Sequence, residues 1–147
     1  MILNSTKRPL CSTPLTLILV PKKFLIPLIH LISARNESQG IRATLDSVLS
    51  QDYAGKWDVW VADDRSTDDT PKILEEYAAR YPQLHILTIK DIPDGVSPKK
   101  HALSKLIDVC DGDILCLTDA DCIVKPTWID GIVREFEPGI ESKRKMD

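Results

Sequence analysis

The sequence WDVWVADDRSTDDT, residues 57–70, decides the fold class. Its apolar run Trp57–Ala62 has the length and composition of a buried strand. Two acidic residues, Asp63 and Asp64, follow the run, and Thr70-Pro71 has the pattern of a helix N-cap followed by a proline in the first turn. A strand that leads through a polar loop into a helix is typical of an α/β protein with a parallel sheet.

The same pattern recurs in ILCLTDADC, residues 114–122. We predict a strand over Asp113–Thr118, followed by Asp119-Ala120-Asp121 and by a helix that Pro126 opens. Parallel sheets collect ligands at the carboxyl ends of their strands, so both acidic clusters are expected to face one crevice. Four carboxylates there are unfavourable unless a positive charge lies between them, and a divalent metal carrying a phosphorylated ligand is the simplest candidate.

The rest of the chain alternates in the same way. Leu28–Ser33 and Leu84–Ile89 are short apolar runs that predict two more strands. Asn36 is predicted to cap the first helix, with Gln39 completing a capping box, and Ser97-Pro98 is predicted to start the third. The order β-α-β-α-β-α-β-α predicts an α/β fold with a mostly parallel sheet of about four strands and helices on both faces.

Length and composition agree with one such domain. The chain has 147 residues, of which 43% are hydrophobic and 28% charged, as in ordinary globular proteins. We expect the domain over residues 27–140, a tail over 141–147, and an N-terminal extension over 1–26 that is poorly ordered or membrane-adjacent. The two apolar runs at the N-terminus are each shorter than the roughly 18–20 residues that a membrane span needs.

The net charge and the cysteine spacing argue against nucleic-acid binding and against a zinc site. A net charge of −3 argues against nonspecific nucleic-acid binding, which needs a basic surface. The four cysteines form no CxxC pair, which argues against a zinc site. Unpaired cysteines also favour a reducing cytoplasm.

Asp119 and Asp121 are candidate metal ligands. Residues two apart in an extended segment project to the same side, and carboxylate oxygens suit Mg²⁺ or Mn²⁺. Asp63 and Asp64 come too early to cap the next helix, so they are candidates to accept hydrogen bonds from a nucleobase imide or a ribose hydroxyl. For either cluster taken alone, an acidic turn with a capping role is the alternative.

Lys99 and Lys100 lie in the first turn of the third predicted helix, where cations oppose the helix dipole. A phosphate bound there would contact both the lysine charge and the helix N–H groups, and two solvated surface lysines are the alternative. The sequence has no GxGxxG after its first strand and no GxxxxGK[ST], so neither a Rossmann dinucleotide site nor a P-loop is predicted. Phosphate would then be held by the metal and by lysine.

Four segments in order resemble the family 2 (GT-A fold) glycosyltransferases, which use nucleotide-sugar donors. They are Ile32-Ser33-Ala34-Arg35-Asn36-Glu37, Val61-Ala62-Asp63-Asp64-Arg65-Ser66-Thr67-Asp68, Lys99-Lys100-His101-Ala102-Leu103 and Thr118-Asp119-Ala120-Asp121-Cys122. The resemblance implies a divalent metal, Mg²⁺ or Mn²⁺, a UDP-sugar donor, and a polysaccharide, glycolipid or other hydroxyl acceptor. It also implies two sets of site residues, namely Ser33, Arg35, Glu37, Asp63, Asp64, Lys99 and Asp119 for the nucleotide, and Asp119 and Asp121 for the metal.

Within these sets the resemblance implies individual roles. Ser33, Arg35 and Glu37 would line the base and ribose pocket, Asp64 would contact the base edge, and Asp63 would support its loop. Lys99 would lie near the diphosphate, while Asp119 would reach the ribose or the metal and Asp121 would bind the metal.

Members of the family that invert at the sugar carbon also need an acidic general base in the second half of the domain. We find no such base and no Gln-x-x-Arg-Trp motif after Asp121, so we expect a truncated, donor-binding half without a catalytic residue. A catalytically inactive nucleotide-binding or partner-binding module is the alternative. A nucleotidyltransferase and a receiver-like phospho-acceptor domain fit less well. By analogy, we expect a cytoplasmic location, at or near the inner face of the plasma membrane.

Overall fold

A computed structural model of the chain describes residues 17–19 and 28–135. It contains a sheet of five strands and four helices within those ranges. In chain order the elements are β1 Leu17–Leu19, β2 Leu28–Ala34, α1 Ile41–Leu49, β3 Trp57–Asp64, α2 Thr70–Arg80, β4 Leu84–Ile89, α3 Pro98–Val109, β5 Ile114–Asp119 and α4 Trp128–Arg134.

The strand order across the sheet is β1-β5-β2-β3-β4. Strands β5, β2, β3 and β4 are parallel, which confirms the predicted α/β class and its sheet of about four parallel strands. β1 pairs with β5 in the antiparallel sense and lies within the predicted N-terminal extension, where no strand is expected from the sequence. Ser33 of β2 is in register with Asp119 of β5, and Ala34 with Asp63 of β3, so the polar ends of these strands lie side by side.

Helices pack on both faces of the sheet, as predicted. One core contains α1 and α2, and the predicted apolar stripe of α1 (Ile41, Leu45, Val48 and Leu49) is buried there. The opposite face is covered by α3 through Ala102 and Leu106. Ile129 of α4 packs on Leu28 and Ile114. Among the described residues, no helix is long and apolar enough to cross a membrane.

The structure corrects three local predictions. Asn36 does not cap α1, because the helix starts one turn later with Gly40 at its N-cap, and the Asn36 side chain binds the next loop instead. Thr70 is the first residue of α2, and the N-cap position belongs to Asp69. β3 extends through Asp63 and Asp64, because both residues pair with β4 in the ladder.

The predicted ends of the remaining elements are close to those observed. β5 is displaced by one residue toward Asp119, and α4 begins at Trp128 rather than at Pro126. The start of α3 at Ser97-Pro98 is confirmed. The expectations for residues 1–16, 20–27 and 136–147, the tail among them, lie outside the described residues.

Candidate functional site

A cleft of about 320 Å³ lies where β2, β3 and β5 end and α3 begins. It brings together seven of the eight predicted site residues, all except Asp63. Two further lining residues, Pro98 and Ala120, were not predicted, although one opens α3 and the other separates the paired aspartates. The lining is Ser33, Arg35, Glu37, Asp64, Pro98, Lys99, Asp119, Ala120 and Asp121.

Asp63 lies behind this lining. Its residue is only 4% exposed, and its Oδ1 accepts a hydrogen bond of 3.3 Å from the backbone N–H of Ser66. A buried carboxylate needs such a donor, and here the donor belongs to the loop that follows β3. Asp63 is therefore bound to the loop and does not face the cleft.

Asp64 borders the cleft although its residue is only 2% exposed. Its Oδ1 accepts a hydrogen bond of 2.9 Å from Nε of Arg65. Arg65 has a φ of 54°, a left-handed conformation that is uncommon for a residue other than glycine. The two neighbouring residues thus form a local ion pair, which fixes the direction of the Asp64 carboxylate.

Within the described part of the chain, five hydrogen bonds join the loops after β2 and β3, and four of them fix the backbone of one loop to a side chain of the other at 3.0 Å or less. Among these four, Asn36 Oδ1 accepts from Thr67 N at 2.8 Å, Thr70 Oγ1 accepts from Glu37 N at 2.9 Å, and Asp68 Oδ2 accepts from Ser38 N at 3.0 Å.

The hydrogen bonds that Asp68 accepts from Thr70 and Ser38 hold the pKa of its carboxyl below the ordinary value. Because Asp68 is ionised at neutral pH, it keeps both backbone N–H groups paired. The loop after β2, which carries Arg35 and Glu37, is therefore fixed to the loop after β3, which follows Asp64.

Lys99 reaches across the cleft from the first turn of α3 and forms an ion pair with Asp119. Its side chain is 61% exposed and that of Asp119 is 34% exposed, so water and ions can reach both. Lys100, the other predicted lysine, lies along a neighbouring groove of about 630 Å³, with Leu103, Ile107 and Leu117. Lys99 borders both the groove and the cleft, whereas Lys100 borders the groove and is absent from the cleft lining.

Asp119, Asp121 and Cys122 form a group that fits a metal ion. Their nearest carboxylate oxygens and Sγ atom lie within 4.8 Å of one another. The two carboxylates suit Mg²⁺ or Mn²⁺, whereas a thiolate is a softer ligand. Cys122 is buried next to the exposed Asp121, and the sequence signal for it is only its position directly after the acidic pair.

The family pattern of glycosyl transferase family 2 matches residues 31–139, and the chain belongs to this family. The beta-monoglucosyldiacylglycerol synthase of Synechocystis sp. is 33% identical over 107 residues, which are 72% of this chain and 22% of that protein. Glycosyltransferase AglE of Haloferax volcanii is 32% identical over 101 residues, 68% of this chain and 32% of that protein. The chain thus spans between a fifth and a third of the length of these relatives.

Solved structures share the fold. The mannosyltransferase PcManGT of Pyrobaculum calidifontis, in complex with GDP-Man and Mn²⁺, superposes with a TM-score of 0.64 and 26% identity over 82% of this chain and 35% of that one. S. aureus TarS 1–349 in complex with UDP gives a TM-score of 0.60 and 26% identity over 76% of this chain and 32% of that one. Both neighbours are bound to nucleotides, and one of them to a divalent metal.

Proposed function

We propose that this chain binds the nucleoside diphosphate sugar donor of a family 2 glycosyltransferase, together with a divalent metal ion. The observation that carries the proposal is the cleft, which joins three strand ends and the start of α3 around seven polar side chains predicted for a donor site. Family membership and nucleotide-bound neighbours of the same fold support it.

The base and ribose are proposed to bind at the β2 and β3 side of the cleft. Asp64 is buried and oriented by Arg65, so its carboxylate is a rigid acceptor suited to the N–H of a base such as uracil. Ser33, Arg35 and Glu37 line the adjoining wall and offer a hydroxyl, a cation and a carboxylate to the ribose and the base. UDP is the donor nucleotide that we propose.

The diphosphate and metal are proposed to bind at the β5 and α3 side. Asp119 and Asp121 would hold Mg²⁺ or Mn²⁺, and Lys99 would pair with phosphate oxygens instead of with Asp119 alone. The first turn of α3 adds backbone N–H groups to the same side. When bound, a divalent ion supplies electrostatic stabilisation of the nucleoside diphosphate that leaves the sugar.

The acceptor is proposed to carry a sugar or lipid hydroxyl, as in polysaccharide or glycolipid synthesis at the inner face of the plasma membrane. The name of a relative, the beta-monoglucosyldiacylglycerol synthase of Synechocystis sp., supports this class. The structure assigns no general base within the described residues, so we propose donor binding and leave the catalytic base unassigned.

Isothermal titration calorimetry of the 147-residue chain with UDP tests the proposal, with and without Mn²⁺. We expect UDP binding that strengthens when Mn²⁺ is present and that falls about 100-fold or more in Asp121→Asn, because the loss of one carboxylate removes a charged metal ligand. Asp108→Asn, an exposed aspartate on α3 away from the cleft lining, is the matched control.

The failure of wild-type chain to bind UDP under either condition would contradict the proposal. A donor-hydrolysis assay on the same samples separates the two remaining functions. Release of UDP from a UDP-sugar indicates a competent transferase site, whereas binding without turnover favours a nucleotide-binding module.

A further inference from the structure

The loop that carries Asp121 is bound to one polar face of α1. Thr44 and Ser47 of that helix, and Gln51 two residues after its end, follow at spacings of three and four, which places them on the same side. This side faces residues 120–129, which run from the end of β5 into the first turn of α4. We call the three side chains the polar ridge of α1.

Every residue of the polar ridge binds backbone atoms of the loop. Thr44 Oγ1 donates to the carbonyl of Ala120 at 2.6 Å, and Ser47 Oγ accepts from Val124 N at 3.2 Å. Gln51 Nε2 donates to the carbonyl of Lys125 at 2.8 Å, while its Oε1 accepts from Ile129 N at 3.0 Å. These are contacts to main-chain atoms about 75 residues further along the chain, and they hold the loop at three points and the start of α4 at a fourth.

The Thr44 contact lies at the centre of the acidic cluster. Thr44 is 0% exposed, and its acceptor, the Ala120 carbonyl, belongs to the residue between Asp119 and Asp121. A rotation of this peptide would turn the exposed Asp121 away from Asp119, so the hydrogen bond sets the relative position of the two carboxylates. The turn is closed on the other side by Cys122 N, which donates to the Asp119 carbonyl at 3.2 Å.

We propose that the polar ridge of α1 is a positioning element that holds the Asp119–Val124 loop in its metal-binding conformation. The ridge residues lie beneath the loop, and none of them lines the cleft. Groups that orient metal ligands in this way are commonly worth 10–100-fold in metal affinity, because a preformed site avoids the ordering cost on binding. The expected effect on metal affinity rests on the proposed function. The expected effect on the conformation of the loop does not.

The first test compares Thr44→Val with Thr44→Ser in Mn²⁺ titrations of the 147-residue chain. Valine keeps the shape of threonine but removes the donor, so we expect Mn²⁺ binding at least about 10-fold weaker. Serine keeps the hydroxyl and is expected to restore the affinity to within about 3-fold of wild type. Ser50→Ala is the matched control on the same helix, because Ser50 is exposed and its hydroxyl bonds only within α1, to the Asp46 carbonyl. We expect no change for this variant.

The second test measures hydrogen exchange of the Cys122 amide, which does not depend on any ligand. We expect Thr44→Val to speed the exchange of this amide about 10-fold or more. The Thr44 hydroxyl binds the Ala120 carbonyl, whereas the Cys122 amide binds the Asp119 carbonyl, so the effect would have to pass through the loop. If Thr44→Val is poorly folded, Ser47→Ala, which truncates only a half-buried side chain, replaces it in both tests with the same expected directions.

Each outcome decides the inference. Thr44→Val with lower unfolding free energy but wild-type Mn²⁺ affinity and Cys122 exchange would show a purely structural role and overturn it. If the wild-type chain binds no Mn²⁺, the proposed metal site fails. The exchange result alone then confirms or overturns the positioning of the loop.

Discussion

Two acidic pairs lie at the ends of β3 and β5, the strands on either side of β2, yet their surroundings are opposite. Asp63 and Asp64 end β3 and are 4% and 2% exposed. Asp119 ends β5 with a side chain that is 34% exposed, and Asp121 lies in the solvent. Aspartates at equivalent strand ends are therefore buried in one pair, Asp63 and Asp64, and exposed to solvent in the other, Asp119 and Asp121. We call these the closed pair and the open pair.

The difference follows from the partners of each pair. The closed pair, Asp63 and Asp64, binds groups from its own loop, namely the Ser66 amide and the Arg65 guanidinium. Buried carboxylates need such fixed partners, because water no longer solvates them. In the open pair, Asp119 is paired with the exposed ammonium of Lys99, which a metal ion can displace from the carboxylate and a phosphate can attract away from it.

This contrast assigns separate tasks to residues that look alike in the sequence. The closed pair belongs to the folded framework and presents one rigid acceptor, Asp64, to the cleft. The open pair has little to do with folding and is suited to an exchangeable cation. Substitution of Asp63, which lies behind the cleft lining, should therefore change mainly the free energy of unfolding, and substitutions at the open pair should change mainly ligand affinity.

The largest expected change in stability is for Asp63→Ala. It removes a buried carboxylate and leaves the amide of the half-buried Ser66 without its acceptor, so we expect the free energy of unfolding to fall by about 1–3 kcal/mol. Asp121→Ala, at an exposed position, is the matched variant and should change it by less than about 0.5 kcal/mol. Urea unfolding followed by circular dichroism gives both values, and equal losses for the two variants would refute the contrast.

The free energy of unfolding is expected to fall in acid, because β5, the strand that ends at the open pair, contacts a buried histidine. His30 of β2 is 0% exposed and its Nε2 lies 2.6 Å from Oγ1 of Thr118, the residue before Asp119. Burial lowers the pKa of His30 to about 3, from an ordinary value of 6.5. The unfolded chain takes up this proton near pH 6.5 and the folded chain does not, so stability present above pH 6.5 is lost as the pH falls toward 3.

The predicted size of this loss is about 2 kcal/mol between pH 7 and pH 5. Urea unfolding of wild type and His30→Gln at both pH values measures it, because every other titrating group is shared by the two proteins. Wild type should lose about 2 kcal/mol more than the variant on acidification. A loss of the same size in both would show that His30 is protonated in the folded state.

Local sequence patterns were enough to predict the framework on which both pairs lie. Leu84–Ile89 and the start of α3 at Pro98 are predicted exactly, because an apolar run and a proline in the first helical turn act through neighbouring residues. The cleft was also predictable in outline, since parallel strands bring their carboxyl ends together.

The remaining features depend on contacts between distant residues. Asn36 was predicted to cap α1, but its side chain accepts from Thr67, which is 31 residues away. The same holds for Asp63 and Asp64, whose pairing with β4 extends the strand and buries them. Neither the closed state of this pair nor the contact of Thr44 with Ala120 has a signal in the local sequence.

The smallest expected effect on stability is at Lys99. Its ion pair with Asp119 is exposed, and such pairs contribute about 0–1 kcal/mol, so Lys99→Met should leave the free energy of unfolding nearly unchanged. UDP binding in Mn²⁺ should nevertheless weaken about 10-fold, because one charge-assisted contact to phosphate is lost. Binding of Mn²⁺ alone should stay the same or strengthen, since the ammonium no longer competes for Asp119.

Lys100→Met is the matched control for this last prediction. It removes the same charge from the neighbouring position, but Lys100 lies along the apolar groove with Leu103 and Ile107 and not in the cleft. Long-range attraction of the lysine charge for UDP is lost in both variants, whereas direct contact is lost in only one. Calorimetry at two salt concentrations separates them, because screening weakens the long-range part and leaves most of the direct contact. Equal effects of the two substitutions would mean that Lys99 acts only through its charge, and the open pair would then lack a phosphate-binding partner.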